Sequence, residues 1–528
     1  MLTVLEGFTP RLPSLEHVEH LEHPSTSDTM TSISRDILAP VTDLDWPAER
    51  AAQLGEEIVG LWTDYLSHLR EIPITHPTSA DEVKAAVARD VPDEPLPVSE
   101  LLAYLRTLMF ENATLTGHPG FMAYVSGAGT VPGAAADLIA AAMNQNVGGW
   151  RLSPGATEIE LHLMRWFAAR LGLPETAGGF ITTGGAMASL FGLAVARDLR
   201  AGWDVRKLGI AAGPPLTVYA SAEVHTVNAR ACDMLGLGAD ALRLIPVDDQ
   251  LRIRMDLLRD AIAADRTSGK QPLAVIATAG TVGTGAIDPL DQIADLCERE
   301  GLWLHIDGAY GGIAALTDEL RPLFSGIERA DSVALDPHKW LYTPHSGGAI
   351  LVRDQRHLGQ AFGVNPSYVH EDKEFTRRGL DFYAHTPNFS RGFHALKIWV
   401  SLLAHGWNAY QRRIAHDVAL ARYLFERAAG HDELETVGQP PELSIACFRY
   451  VPRELRGNRG AEAYLNSLNE RLMAELQLGG RVFPSNAVID GRFAIRACIV
   501  NFRTEVADLD ALVDETIAHG RRLHAERA

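Results

Sequence analysis

The feature that most constrains this chain is a series of short apolar runs separated by helix-patterned stretches, from about residue 125 to about residue 400. The runs are GGFITT, LTVYAS, LAVIATAG, LWLHID, SVALDP and GAILVRD. Continuous aliphatic and β-branched runs predict strands buried on both faces, and hence a mostly parallel sheet covered by helices on both sides. Between them, AMASLFGLAVARDL and PLDQIADLCEREG carry apolar residues at helical spacing and fit α/β crossovers. The expected fold class is therefore α/β, with a large domain over residues 125–410. Ahead of it, residues 46–124 read as a helical segment. AERAAQLGEEIVGLWTDYLSHL is periodic, and VSELLAYLRTLM follows Pro97 with Ser99 as its expected N-cap. Behind it, residues 411–528 combine a long helical region with two apolar runs, ELSIACFRYV and FAIRACIVNFR, and predict a smaller α+β domain.

Residues 1–45 are polar and contain Pro10, Pro13, Pro24 and Pro40, which predicts a mobile extension. On a helix, His17, His20 and His23 would form a stripe able to hold a metal. No cysteine or second ligand cluster lies nearby, so a solvated tail and no metal site are expected. At 528 residues and 46% hydrophobic content the chain can bury a large core over two or more domains. The net charge of −19, with no Lys/Arg-rich run, argues against a nucleic-acid partner. No apolar stretch is long enough to span a membrane, and MLTVLEGFTPRLPSLEHVEHLEH lacks the basic and apolar regions of a signal peptide. Cys232, Cys297, Cys447 and Cys498 are isolated from one another. They predict reduced, buried thiols in a cytoplasmic protein rather than a disulfide framework or a cysteine zinc site.

The chemistry is concentrated just past the apolar runs. Lys339 lies in DPHKW, between His338 and Trp340 and close to Asp336, a setting that a merely solvated lysine does not need. A lysine that acts as a covalent nucleophile toward a carbonyl must be deprotonated part of the time, which burial favours. LWLHIDGAYGG puts Asp307 at the C-terminal end of a strand, where open α/β sheets bind ligands. A buried carboxylate there calls for a cationic partner, and a protonated pyridine nitrogen would serve. ITTGGAMAS runs from a strand through Thr183, Gly184, Gly185 and Ala186 into a helix, whose free amides and dipole favour a phosphate. It is not a Walker motif, and Gly127, Gly129 and Gly133 do not form a dinucleotide fingerprint. His225 in ASAEVHTVNAR and Thr278 in ATAGT end two further strands. A phosphate cradle, a flat neighbour, an acid and a reactive amine are together what pyridoxal 5′-phosphate (PLP) requires: the acid keeps the pyridine nitrogen protonated and the lysine holds the aldehyde as a Schiff base.

These residues also match a family. GHPGFMAY, SPGATEIE, HIDGAYGG, DPHKW, NPSYVH and ALKIW resemble blocks of the PLP-dependent group II amino-acid decarboxylases, the aromatic-L-amino-acid decarboxylase branch in particular, over roughly residues 50–520. The resemblance implies a fold-type I, aminotransferase-like architecture and a homodimer with active sites at its interface, in which the N-terminal helical segment (46–124) packs on the partner chain as a dimerisation segment. It implies that Lys339 carries the cofactor, Asp307 pairs the pyridinium, Ala309 packs on one ring face and His225 stacks on the other. Thr278 would lie at the cofactor, and Asp336 and His338 would support the lysine. Tyr368 in NPSYVH matches a loop tyrosine thought to protonate the carbon that has lost carbon dioxide. A phenol is a suitable general acid. In related aldehyde synthases that position is typically phenylalanine, so tyrosine favours release of an amine.

The implied activity is decarboxylation of a neutral L-amino acid, an aromatic one by preference. Several positions depart from the aromatic branch. Gly184, Gly185 and Ala186 replace hydroxyl-bearing cradle residues, so Thr183 and backbone amides must do more. Val125 follows Tyr124 where Phe-Pro-Thr is usual, Gly148 stands where Phe is frequent, and Gly392 breaks a double arginine that keeps Arg391. Tyr124, Val125, Gly148, Trp150 and Arg391 are therefore the expected pocket wall. Its changes keep valine, leucine and 2,4-diaminobutyrate open as rival substrates. An aldehyde synthase, a transaminase and a non-catalytic relative are the other readings of the same scaffold.

Overall fold

The computed structural model describes residues 44–364 and 379–526. The chain divides into two compact units, residues 1–63 and 64–528. A helix runs from Ala48 to His68, as its apolar spacing predicts. In the second unit, Ser79 caps the helix Ala80–Val87 reciprocally with Glu82, closing a capping box. The next helix, Val98–Phe110, starts differently from the expectation. Pro97 holds the cap position and makes no side-chain cap, while Ser99 lies inside the first turn. Proline's preset φ, −56° here, is already compatible with helix entry.

The large sheet has seven strands: β1 (Gly178–Thr182), β2 (Leu216–Ser221), β3 (Leu242–Ile245), β4 (Gln271–Thr278), β5 (Trp303–Gly308), β6 (Ser332–Leu335) and β7 (Gly348–Val352). Their order is β1-β7-β6-β5-β4-β2-β3. The pairs β3–β2, β2–β4, β4–β5 and β5–β6 are parallel, and β7 runs antiparallel to both β6 and β1. Side chains alternate between two cores. Val275, Ala277, Leu304, Ile306, Val333 and Leu351 enter one, and Ala274, Ile276, Trp303, Ala334, Ile350 and Val352 enter the other. Both faces are covered, which is why these strands read as unbroken apolar runs.

The second sheet is antiparallel, with strands β8 (Leu434–Thr436), β9 (Ile445–Tyr450), β10 (Ser485–Ile489) and β11 (Arg492–Cys498) in the order β10-β11-β9-β8. Ala446, Phe448, Tyr450, Ile495 and Ala497 pack into a core of their own with the helices Trp407–Ala429, Glu462–Leu478 and Val506–Ala525. Ile445, Cys447 and Cys498, on the opposite face, join one core of the large sheet. Four strands thus stand where two were expected. β8 has three residues, and β10 alternates buried and exposed positions, so neither makes an apolar run. β3 escaped notice for the same reason. The boundary expected at residue 410 falls inside the helix Trp407–Ala429.

Candidate active site

The parallel strands all deliver their C-terminal ends to one side of the sheet, where a cavity of about 420 Å³ opens. That volume suits a small cofactor with its substrate. Thirteen of the residues expected from the sequence line it: Tyr124, Val125, Thr183, Gly184, Gly185, Ala186, His225, Thr278, Asp307, Ala309, Asp336, His338 and Lys339.

Lys339 lies on the short helical turn Pro337–Trp340 that follows β6. Its Nζ sits 3.0 Å from Oδ2 of Asp336, which is 2% exposed. The turn is clamped from two sides. A Cβ on Gly127 would overlap the Lys339 carbonyl oxygen, so only glycine lets that strand of backbone approach so closely. Beyond the lysine, Trp340 Nε1 and the Tyr342 hydroxyl both donate to Oδ2 of the buried Asp417, at 3.0 and 2.6 Å. Arg413 donates to the other oxygen of Asp417 at 2.8 Å. Tyr342 has a left-handed φ of 51°, and its bond to Asp417 holds that unusual backbone in place. The His338 ring places Nδ1 2.7 Å from the Gly347 carbonyl. A carbonyl only accepts, so Nδ1 carries the proton. Burial lowers the His338 pKa, opposed by the nearby Asp336.

Asp307 pairs in register with Thr278 across β4 and β5. Its Oδ2 accepts from Asn228 Nδ2 at 3.0 Å and its Oδ1 from the Ala309 amide at 3.3 Å. Asn228 is fully buried, and its amide also donates to the His225 carbonyl at 3.2 Å. It therefore ties the acid to the strand-end histidine, a role sequence reasoning missed because an asparagine inside a helix reads as a surface residue. His225 Nδ1 accepts from the Val227 amide at 3.2 Å, which puts the neutral ring's proton on Nε2. Desolvation lowers its pKa, with Asp307 opposing.

The Gly184–Gly185 turn leads into the helix Gly185–Arg200. A Cβ on Gly185 would lie 2.7 Å from Ala309 Cβ and 2.8 Å from Asp336 Oδ2. Glycine is thus required where the helix N-terminus meets β5 and the Asp336 turn. First-turn amides have no partner within their helix and favour an anion. Buried Thr278 Oγ1, Asp336 Oδ1 and Asn228 Oδ1 have no hydrogen-bond partner among the described residues. A cavity with a lysine, a buried acid, open helix amides and unpaired polar atoms fits PLP.

On the opposite wall, Tyr124 has φ 55° and is 64% exposed. Its carbonyl accepts from Arg496 Nη1 at 2.9 Å, and Arg496 Nε donates to Gly283 O at 3.1 Å. Alternation along β11 explains the placement: Ile495 and Ala497 face the small domain's helices, so Arg496 faces the large domain. Arg496 is 2% exposed, and its Nη2 has no partner among the described residues. It is a buried cation that the strand pattern of FAIRACIVNFR did not reveal.

Three expected wall residues lie outside this cavity. Arg391 is corrected from pocket wall to structural ion pair. It is buried against Glu160 at 2.5 Å, donates to Ile181 O at 3.1 Å, and lies over the Phe382 ring. A Cβ on Gly148 would overlap the Phe389 carbonyl, so glycine there reflects close packing. Trp150 donates from its indole to Glu158 at 3.0 Å. Tyr368, like His17, His20 and His23, lies outside the described residues. All four cysteines are free and buried, and burial pushes the Cys232 and Cys447 thiols up to about 12. Among the described residues there is no metal-ligand cluster and no helix long and apolar enough to cross a membrane.

Fold and cavity together define a PLP-dependent enzyme of the α/β class. Residues 81–451 match the pyridoxal-dependent decarboxylase conserved domain, and the chain belongs to that family of amino-acid decarboxylases. It is 34% identical to an aromatic-L-amino-acid decarboxylase of Bacillus atrophaeus, over 88% of this chain and 95% of the relative. It is 27% identical to a phenylacetaldehyde synthase of Petunia hybrida, over 86% and 92%. The solved Oryza sativa TDC with PLP and tryptamine superposes with a TM-score of 0.84 at 27% identity, covering 91% of this chain and 99% of that one.

Proposed function

We propose that this PLP-dependent decarboxylase converts an aromatic L-amino acid to its amine and carbon dioxide, with Lys339 carrying the cofactor. The observation that carries the reading is the convergence of Lys339, Asp307 and the Gly184–Gly185 turn on one cavity. The aromatic substrate class is supported by the Bacillus relative and by Tyr124 on the cavity wall. PLP, once bound, supplies an electron sink for the electrons freed when the carboxylate leaves.

The chain's own residues do the rest. Asp307, oriented by Asn228, would pair with the pyridine nitrogen of the bound cofactor. The amides at the start of the helix Gly185–Arg200, with Thr183 and His338, would hold its phosphate. Ala309 and His225 would confine its ring, and Thr278 brings an unpaired hydroxyl to the same cavity. Asp336 holds the Lys339 ammonium until the lysine is engaged. Arg496 fixes the Tyr124 backbone and places a buried positive charge behind the wall. Tyr368 is the proposed proton donor to the carbon that loses carbon dioxide, as a phenol can be.

The remaining parts of the reading are a homodimer with its sites at the interface, residence in the cytoplasm, and the division into an extension (1–45), a helical segment (46–124), a PLP domain (125–410) and a small domain (411–528).

Borohydride reduction of the PLP-loaded protein, followed by peptide mass mapping, tests the assignment. A phosphopyridoxyl mass on Lys339 is expected. The same label on another lysine, or on none, would overturn it.

A further inference from the structure

His345 plays no part in the reading above. It lies in the connection between the Lys339 turn and β7, and it lines the same cavity as Lys339 and the glycine turn. Topology puts it there. β7 is antiparallel to β1, with Gly348 opposite Thr182, so the chain entering β7 lies beside the chain leaving β1. The approach is tight, since a Cβ on Gly348 would come within 2.5 Å of Gly184 Cα. The segment before Gly348 therefore overhangs Thr183, Gly184 and Gly185.

The His345 ring is 4.5 Å from the His338 ring, centroid to centroid, at an angle of 46°. A Cβ on Gly184 would lie 3.5 Å from His338 Cε1, so His338 stands directly over the glycine turn with His345 beside it. The His345 backbone is anchored from behind. Its carbonyl accepts from Lys397 Nζ at 3.0 Å, and Lys397 also pairs with Asp137 at 3.0 Å. The ring nitrogens of His345, in contrast, make no hydrogen bond among the described residues. An imidazole whose backbone is tethered and whose nitrogens are free is pre-organised to bind something in the cavity.

The glycine turn explains what that is. Gly184, Gly185 and Ala186 bring no side-chain hydroxyl to an anion, and Thr182 spends its hydroxyl on the Gly184 carbonyl at 3.0 Å. Beside Thr183 and His338, the amides of the turn provide few donors for a dianionic phosphate, and a further imidazole N–H adds a charge-assisted bond. We propose that His345 is a ligand of the cofactor phosphate, supplying from the β7 side a donor that the Gly184–Ala186 turn lacks. The inference rests on the reading that PLP occupies this cavity with its phosphate at that turn.

The test compares PLP with pyridoxal, which lacks the phosphate, in titrations of the cofactor-stripped full-length protein. His345→Phe keeps a ring beside His338, and His345→Gln keeps a donor. In His345→Phe the PLP dissociation constant should rise about ten-fold or more, with pyridoxal affinity unchanged. His345→Gln should recover part of the loss. The phosphorus resonance of the bound cofactor should move in His345→Phe. Equal weakening of PLP and pyridoxal would make the role of His345 merely structural. Unchanged PLP affinity with a raised KM would assign it to the substrate. Either result overturns the inference and leaves the cavity reading intact, whereas wild-type protein that takes up no PLP would overturn both.

Discussion

Asn228→Leu isolates the one group that orients the buried acid of the site. The leucine keeps the branched four-atom skeleton of the asparagine, so the change removes hydrogen bonds without opening a cavity. Asp307 Oδ2 loses its 3.0 Å donor, and the His225 carbonyl loses its 3.2 Å donor. What remains on the carboxylate is the 3.3 Å contact from the Ala309 amide. A hydrogen bond to a charged group contributes about 1.5–3 kcal/mol. If Asn228 holds Asp307 in the orientation that meets the pyridine nitrogen, most of that difference should appear in cofactor binding. PLP affinity should then fall about 10- to 100-fold. The assay is an absorbance titration of cofactor-stripped protein with PLP, with denaturant unfolding of the same samples to separate lost stability from lost affinity. Asn228→Asp adds a signature of its own. Two carboxyl groups about 3 Å apart do not both ionise readily, so one keeps a proton at low pH and can still donate to Asp307. PLP affinity in that variant should therefore worsen as the pH rises, more steeply than in the wild type. A PLP affinity of Asn228→Leu within about two-fold of wild type would refute the reasoning, because a group that positions the acid cannot be removed without consequence.

Arg391→Met should leave Glu160 buried without its cation and cost about 3–5 kcal/mol of stability. The folded fraction should keep a near-normal KM, and Glu160→Leu combined with Arg391→Met should recover much of the loss in thermal unfolding. His305, buried between Ser332 and Ser189, is held neutral with its pKa pushed down to about 4 by desolvation. An unfolded imidazole titrates near ~6.5, so the folded value is the lower of the two. The stability this adds is full above pH ~6.5 and is lost as the pH falls toward 4. Unfolding titrations should therefore show the advantage of wild type over His305→Gln shrinking by about 3 kcal/mol between neutral pH and about pH 4. Tyr368→Phe should shift products from amine toward aldehyde and ammonia; an unchanged amine yield would remove Tyr368 from the proton-donor role.

What could be read from the sequence follows physical rules. Strands covered on both faces leave unbroken apolar runs, so six of the seven strands of the large sheet and the residues just past them were legible. Lys339, Asp307 and His225 stood out because each follows such a run. β3, β8 and β10 are short or half-exposed and leave no run. Asn228, Arg496 and His345 matter only through what the fold sets beside them. Asn228 is separated from Asp307 by two strands of sequence, Arg496 approaches Tyr124 from the far end of the chain, and His345 gains its neighbours from one antiparallel strand. Arg391 erred the other way: its motif was visible, but Glu160, the partner that occupies it, could not be read from spacing.

The proposed reaction releases carbon dioxide from an aromatic L-amino acid and leaves the amine. The most direct test incubates PLP-loaded protein with L-tryptophan, L-tyrosine and L-phenylalanine, and with valine, leucine and 2,4-diaminobutyrate as rivals. Carbon dioxide and product mass are read from the same reaction. Equal amounts of carbon dioxide and amine are expected from at least one aromatic substrate, abolished in Lys339→Ala. Amine from the rivals alone, or aldehyde with ammonia in place of amine, would contradict that reaction.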